Sequence, residues 1–167
     1  MNTKRMVTLG LLTATALILF IIELRIPNLV PIPGVKLGLA NIVTVYAVFR
    51  FPPRETAMTV FARVLLGAMF SGNLSALLYS ASGAVCCLLG MIALRHIIPQ
   101  KQIWLASIIG AMLHNIGQIA AAVIVMRSVA VIAYLPILLV TGSVAGAFTG
   151  LCAQMIVRRA DGSNVIL

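Results

Sequence analysis

The sequence predicts an all-α integral membrane protein with six transmembrane helices. Of its 167 residues, 62% are apolar and 9% are charged, whereas soluble proteins have about 45–50% and about 25%. The mean hydropathy is +1.13. The apolar residues form runs that reach or approach the roughly 20 residues that a membrane-spanning helix needs. We therefore treat residues 1–167 as a single transmembrane domain.

Each apolar run is assigned one helix. The first run follows Lys4 and Arg5, and no small-residue cleavage site or polar mature region comes after it, so we interpret it as a membrane helix and not a signal peptide. The second and third runs are about 15 residues long and would cross only with help from their flanks or a locally thinned bilayer. The predicted helices cover about 6–22, 37–50, 55–70, 74–94, 102–126 and 129–157.

The distribution of Lys and Arg predicts the orientation, because these residues favour the cytoplasmic side. With both termini in the cytoplasm, eight basic residues fall in inside segments, three fall in outside segments, and one lies within helix 3. The opposite orientation would invert this ratio. We therefore expect a multi-pass protein of the bacterial cell membrane. The inside residues are Lys4, Arg5, Arg50, Arg54, Arg95, Lys101, Arg158 and Arg159, and the outside ones are Arg25, Lys36 and Arg127.

The charge composition excludes several classes of function. The net charge is +9, but the basic residues are scattered and form no patch, so we expect no nucleic-acid binding. Glu23, Glu55 and Asp161 are too few for paired-carboxylate hydrolysis or an Asp-rich magnesium site. The three cysteines lie in apolar runs without metal-ligand spacing. We expect no enzyme activity, metal or cofactor.

Ionisable and amide side chains inside the membrane are the candidate functional residues. Arg63 lies midway along helix 3 and either faces a ligand or is a structural arginine that pairs with carbonyls or snorkels. His114, Asn115 and Gln118 are three and four residues apart on helix 5 and therefore lie close together. These three residues either contact a ligand or hydrogen-bond to a neighbouring helix.

Further polar residues lie where helices 2 and 4 leave the outer surface. Lys36 and Asn41 open helix 2, and Asn73 and Tyr79 open helix 4. Together with the polar residues of helices 3 and 5, they would surround a pocket in the outer half of the bundle, capped by the Pro-rich segment 23–36. Snorkelling and helix capping are the alternatives for Lys36 and Asn73.

Small residues mark places where helices can approach closely. Gly142, Gly146 and Gly150 are each four residues apart on helix 6, which favours internal packing. Gly10 and Ala14 have the same spacing on helix 1, where a smooth face could dock a separate membrane protein.

Several motifs resemble one family. Residues 33–43 (PGVKLGLANIV), 63–67 (RVLLG), 71–75 (SGNLS), 114–118 (HNIGQ) and 135–142 (LPILLVTG) resemble the Gx transporter family, which is often labelled heptaprenyl diphosphate synthase component I. The likeness extends over nearly the whole chain. The six-helix layout also resembles the substrate-binding S components of energy-coupling factor (ECF) transporters.

The two likenesses imply different functions. An S component binds a vitamin or related nutrient near the outer face and works with a coupling protein and cytoplasmic ATPases. In that group helix 1 often carries AxxxA spacing for docking, and Gly10-x-x-x-Ala14 is the nearest equivalent here. A prenyl diphosphate synthase instead binds magnesium through DDxxD motifs, which this chain lacks. The synthase label therefore implies at most an accessory membrane subunit in isoprenoid or quinone metabolism or in a membrane electron-transfer system.

The leading hypothesis is an S-component-like subunit for uptake of a small vitamin or cofactor precursor. Arg63 would face an anionic or carbonyl group of the ligand, and the polar residues of helix 5 would bind its polar edge. Lys36, Asn41 and the Pro-rich segment would close the outer mouth. The expected partners are the ligand, membrane lipid, an ECF coupling protein and its ATPases. An accessory subunit with a lipophilic ligand and a scaffold without a ligand remain the alternatives.

Overall fold

A computed structural model describes residues 3–25, 38–71 and 74–162. Throughout these ranges the regular structure is helical, with no strand. Two short 3-10 segments, Gln100–Gln102 and Val129–Tyr134, precede the last two α-helices. The six α-helices are α1 (Thr3–Arg25), α2 (Asn41–Arg50), α3 (Pro53–Ser71), α4 (Leu74–Leu94), α5 (Ile103–Met126) and α6 (Leu135–Gly162).

The six α-helices correspond in order to the six predicted ones, but two of them begin at least four residues later than predicted. α2 begins at Asn41 and not at 37, because Gly38 (φ +71°) starts a turn in which the Asn41 N–H donates to the Gly38 carbonyl at 2.8 Å. α6 begins at Leu135 and not at 129, because the preceding segment is a 3-10 helix. Pro136 follows in the first turn of α6. Backbone N–H groups in a first turn have no acceptor within the helix, so proline, which lacks this N–H, costs no hydrogen bond there.

The described residues form a multi-pass membrane protein. α2 has ten residues and is only about 15 Å long, roughly half the thickness of the hydrocarbon core. α3 has 19 residues but carries Arg54, Glu55 and Arg63. Whether these two helices cross the membrane remains a prediction. The four segments long and apolar enough to cross are Thr3–Glu23, Leu77–Leu94, Gln100–Met126 and Val129–Ala160.

The short helix α2 is part of the protein core. Its residues 43–48 are all buried, and it contacts α1, α3, α4 and α6. The hydroxyl of Thr56 in the first turn of α3 donates to the Ala47 carbonyl of α2 at 3.0 Å. Because α2 packs against protein along its length, its length does not have to match the thickness of the bilayer.

α5 packs between α4 and α6, and these two interfaces are the most extensive in the bundle. Glycines line both of them. A Cβ atom at Gly117 of α5 would lie 2.8 Å from the Ser82 carbonyl oxygen of α4, and one at Gly146 of α6 would lie 2.9 Å from the Ser107 carbonyl oxygen of α5. The missing side chains let the backbones approach closely, in agreement with the packing predicted from the glycine spacing of helix 6.

Three contacts bring the basic residues to one end of the bundle. Arg5 and Glu55 form an ion pair of 2.9 Å between the starts of α1 and α3. Arg95, after α4, donates to a carbonyl in the turn between α2 and α3 at 3.1 Å, and Arg158 of α6 donates to the Lys101 carbonyl at 3.4 Å. We call this the basic end and the other end of the bundle the far end. The residues at the basic end include Arg5, Arg50, Arg54, Arg95, Lys101, Arg158 and Arg159.

Candidate functional site

A cavity of about 430 Å³ lies between all six helices, within the size range of small-molecule binding sites. α5 lines it from Ser107 to Gln118, a rise of about 16 Å along the helix, so the cavity is elongated along the bundle. It brings together six of the eight polar residues that the sequence indicated as ligand contacts. These six are Asn41, Arg63, Tyr79, His114, Asn115 and Gln118.

Two of the other four candidate residues, Gly10 and Ala14, are not among the residues that line this cavity. Lys36 and Asn73 lie outside the described residues. Gly10 and Ala14 are exposed on α1, and a Cβ atom at Gly10 would have no atom within 4 Å apart from those of its own stretch of helix. This part of α1 is therefore an open, smooth surface on the outside of the bundle.

Arg63 brings a buried positive charge to the cavity wall. Its Nε atom is buried and has no hydrogen-bond partner among the described residues. The guanidinium interacts electrostatically with Glu23, but in the described part of the chain only Arg5 and Glu55 form an ion pair within 4 Å. A buried charged group without a close partner is costly. Arg63 thus presents an unmatched hydrogen-bond donor beside the cavity.

His114 and Gln118 are placed by a glycine on the neighbouring helix. Both side chains lie against Gly83 of α4, where a Cβ atom would be 3.0 Å from His114 Cε1 and 2.8 Å from Gln118 Cγ. The absence of a side chain at Gly83 makes room for both residues beside the cavity. Their four-residue spacing puts them one turn apart on the same face.

Asn115 connects two helices. Its Nδ2 atom donates to the Leu138 carbonyl of α6 at 2.6 Å, and the side chain is buried. The amide nitrogen also lies directly over Gly142, which leaves space for it. Of the two interpretations of this residue, the hydrogen bond between helices matches the observed contact.

We expect Asn115 and Gln118 to respond differently to alanine substitution. Asn115→Ala removes the bond to α6 and should lower the free energy of unfolding by about 1 kcal/mol. Gln118 makes no hydrogen bond to another described residue, so Gln118→Ala should change stability less and weaken ligand retention more. Thermal unfolding in detergent, together with the amount of small molecule retained per protein, measures both effects. Equal losses of stability in the two variants would contradict this division of roles.

Glu23 is a cavity residue that the sequence analysis did not single out. It lies in the last turn of α1, is 8% exposed and lines the cavity. Its Oε1 accepts a hydrogen bond from the Gly38 N–H at 2.5 Å, which ties the end of α1 to the turn before α2. One signal was available, because Glu23 is one of only three acidic residues in the chain.

The two ends of the cavity differ in polarity. Glu23 at the end of α1 and Asn41 at the start of α2 lie toward the far end, and Arg63 lies midway along α3. Toward the basic end the wall is formed by small and apolar residues and by two hydroxyl groups, those of Ser107 and Thr149, which bond to each other at 3.3 Å. The cavity therefore offers a charged, hydrogen-bonding upper part and a largely apolar floor. The floor residues are Val45, Cys87, Met91, Ala111, Ala145 and Gly146.

The residues of this site do not form a metal-binding cluster. Among residues 3–25, 38–71 and 74–162, no three His, Cys, Asp or Glu side chains are grouped so that they could hold a metal ion. The described site offers groups for electrostatic attraction, hydrogen bonding and apolar contact.

Comparison with known proteins gives one match. The family model described as heptaprenyl diphosphate synthase component I matches residues 12–156. No curated protein and no solved structure matches the chain. The matched range includes every described residue that lines the cavity.

Proposed function

The chain belongs to the family described as heptaprenyl diphosphate synthase component I, and we propose, from its cavity, that it is a membrane-embedded binding subunit for a small vitamin or cofactor precursor. In this proposal it acts like an S component of an ECF transporter, without catalytic activity of its own. The observation that carries the proposal is the buried Arg63, whose Nε has no hydrogen-bond partner among the described residues, on the wall of a cavity of ligand size. A group that binds there would compensate the buried charge.

The proposed topology has six crossings and both termini in the cytoplasm. The gathering of basic residues at one end supports a cytoplasmic location of that end. The charged upper part of the cavity then lies in the outer half of the membrane. A nutrient arriving from outside would meet Glu23 and Asn41 before Arg63, which lies midway along α3.

The proposed partners are a coupling protein in the membrane and cytoplasmic ATPases. The exposed Gly10 and Ala14 on α1 support a docking face for the coupling protein, because small residues allow a partner helix to approach closely. Cavity and docking face are separate, so binding and docking can be tested independently.

We expect Gly10→Trp to disrupt docking without disturbing the bundle. No atom lies within 4 Å of a Cβ at this position, so a large side chain can be accommodated by the isolated protein but would block a close partner helix. Pull-down of coupling and ATPase subunits from the native membrane should fall at least about tenfold, while ligand retention stays unchanged. Gly10→Ala is the matched control and should keep the partners. Unaltered pull-down by the tryptophan variant would contradict docking at this face.

Mass spectrometry of small molecules released from gently purified protein tests the proposed function. We expect a water-soluble molecule at about one per chain, retained by the wild type and lost from Arg63 variants. A protein that is empty after purification and binds no water-soluble nutrient from a cell extract would contradict the proposal.

A second candidate function is a non-catalytic accessory subunit in isoprenoid or quinone metabolism. The description of the family supports it, and the apolar floor of the cavity suits a lipophilic group. Since Asp161 is the only aspartate, diphosphate chemistry would belong to a soluble partner. Release of a polyprenyl or quinone species and co-purification of a prenyltransferase would favour this candidate over the first.

A further inference from the structure

The cavity wall carries two opposite charges that do not neutralise each other directly. Glu23 on α1 and Arg63 on α3 both line it, and they interact electrostatically. Their charged atoms are nevertheless more than 4 Å apart. Among the described residues, the ion pair within that distance is the one between Arg5 and Glu55. A direct pair would have used the hydrogen-bonding capacity of both groups. Here each group keeps part of that capacity.

Both residues line the cavity, and each has hydrogen-bonding capacity that no described residue uses. The Nε–H of Arg63 has no hydrogen-bond partner in the described part of the chain. Glu23 uses Oε1 to accept from the Gly38 N–H, which leaves Oε2 for a donor in the cavity that Glu23 lines. Arg63 therefore matches an anionic group, and Glu23 matches a cationic or N–H donor group.

The apolar floor of the cavity is the third feature that a ligand has to match, besides the charges of Arg63 and Glu23. Below the charged groups, toward the basic end, Val45, Met91 and Ala111 line the cavity. The hydroxyls of Ser107 and Thr149 at this level bond to each other and so demand no polar partner from a ligand. A ring or short aliphatic body fits this part of the cavity.

We propose, resting on the proposed binding function, that the ligand is a zwitterion with an apolar body. Its anionic group binds Arg63, its cationic group binds Glu23, and its apolar body points toward Val45 and Met91. Glu23 is then a specificity-determining residue that selects the zwitterion over simple anions. Neither charge of the wall remains unmatched in the complex, and the ligand needs no net charge to bind.

Three probes with the same apolar body test the inference: L-phenylalanine, phenethylamine and 3-phenylpropanoate. The first is zwitterionic, the second has only the cationic group, and the third has only the anionic group. By calorimetry in detergent, we expect L-phenylalanine to bind the wild type about tenfold or more tightly than either other probe, since a hydrogen bond to a charged group is worth about 1.5–3 kcal/mol.

Two variants test which residue of the wall binds which charged group of the ligand. Glu23→Gln keeps an oxygen that can accept from Gly38 and should remove the advantage of L-phenylalanine over 3-phenylpropanoate. Arg63→Gln should remove its advantage over phenethylamine. Glu55→Gln is the control, because it removes an acid of the basic end that does not line the cavity. It should leave all three affinities unchanged.

The inference fails if 3-phenylpropanoate binds the wild type as tightly as L-phenylalanine, if Glu23→Gln keeps the preference, or if none of the probes binds. Its failure can be told apart from failure of the proposed function. A purified protein that releases a carboxylate or phosphate without a cationic group would still be a binding subunit but would overturn the zwitterion. A protein that binds no nutrient at all would overturn the proposed function itself.

Discussion

Replacing Arg63 with methionine is expected to reduce small-molecule retention by about a hundredfold or more while making the empty protein more stable. The two effects have opposite signs for one physical reason. The buried Nε has no hydrogen-bond partner among the described residues, so the charge should destabilise the empty bundle, and a bound ligand would compensate it. Methionine removes this cost but also removes the positive charge that attracts Glu23, and we expect a net gain of about 1 kcal/mol in the free energy of unfolding.

The measurement combines thermal unfolding in detergent with mass spectrometry of released molecules. Arg95→Met is the matched control, because Arg95 donates to the Phe51 carbonyl at 3.1 Å and lies outside the cavity lining. It should lose stability and keep the small molecule. If Arg63→Met instead loses stability and retains the molecule, Arg63 is a structural arginine and the site assignment is wrong.

Gly150→Ala is expected to destabilise the bundle by about 2 kcal/mol or more, a large effect for one methyl group. A Cβ atom here would lie 2.6 Å from Ser107 Cβ and 2.6 Å from the backbone Cα of Trp104. The backbone atom cannot move aside without shifting α5, so the two helices must separate. Gly150→Val should be worse still, because its branched side chain occupies more of the same space.

Gly10→Ala provides the comparison for this prediction. It makes the same chemical change in a helix, but its new methyl group would have no neighbour within 4 Å. The higher helix propensity of alanine should give a stability gain of up to about 1 kcal/mol. Unfolding of both variants in the same detergent gives the contrast. Equal effects at the two positions would mean that the α5–α6 contact does not limit stability.

The number of helices and the composition of the polar site could be predicted because both depend on local features. Arg63, His114 and Gln118 stand out as polar residues in apolar runs, and helical spacing alone puts the last two on one face. Such side chains are costly in lipid, so they collect inside the bundle. The structure accordingly brings them together in one cavity.

Other features depend on tertiary contacts and could not be predicted from the sequence. Hydropathy cannot distinguish a short span from a core helix, so α2 was expected to run from 37 to 50 and proves to be a buried ten-residue helix. Glu23 was assigned to the loop after helix 1, and only the packing of α1 and the bond from Gly38 bring it to the cavity. The structural role of Asn115 likewise depends on Leu138, 23 residues away.

The unequal packing of the bundle has a consequence for motion. α4, α5 and α6 are joined through extensive, glycine-lined interfaces, whereas α1 contacts α2 and α3, and its outer face is exposed. Since the cavity lies between these two parts, its opening and closing should come from α1 and α3 moving against a fixed wall. Amide hydrogen exchange should therefore be slow in α5, faster in α1, and slowed by bound ligand mainly in α1 and α3.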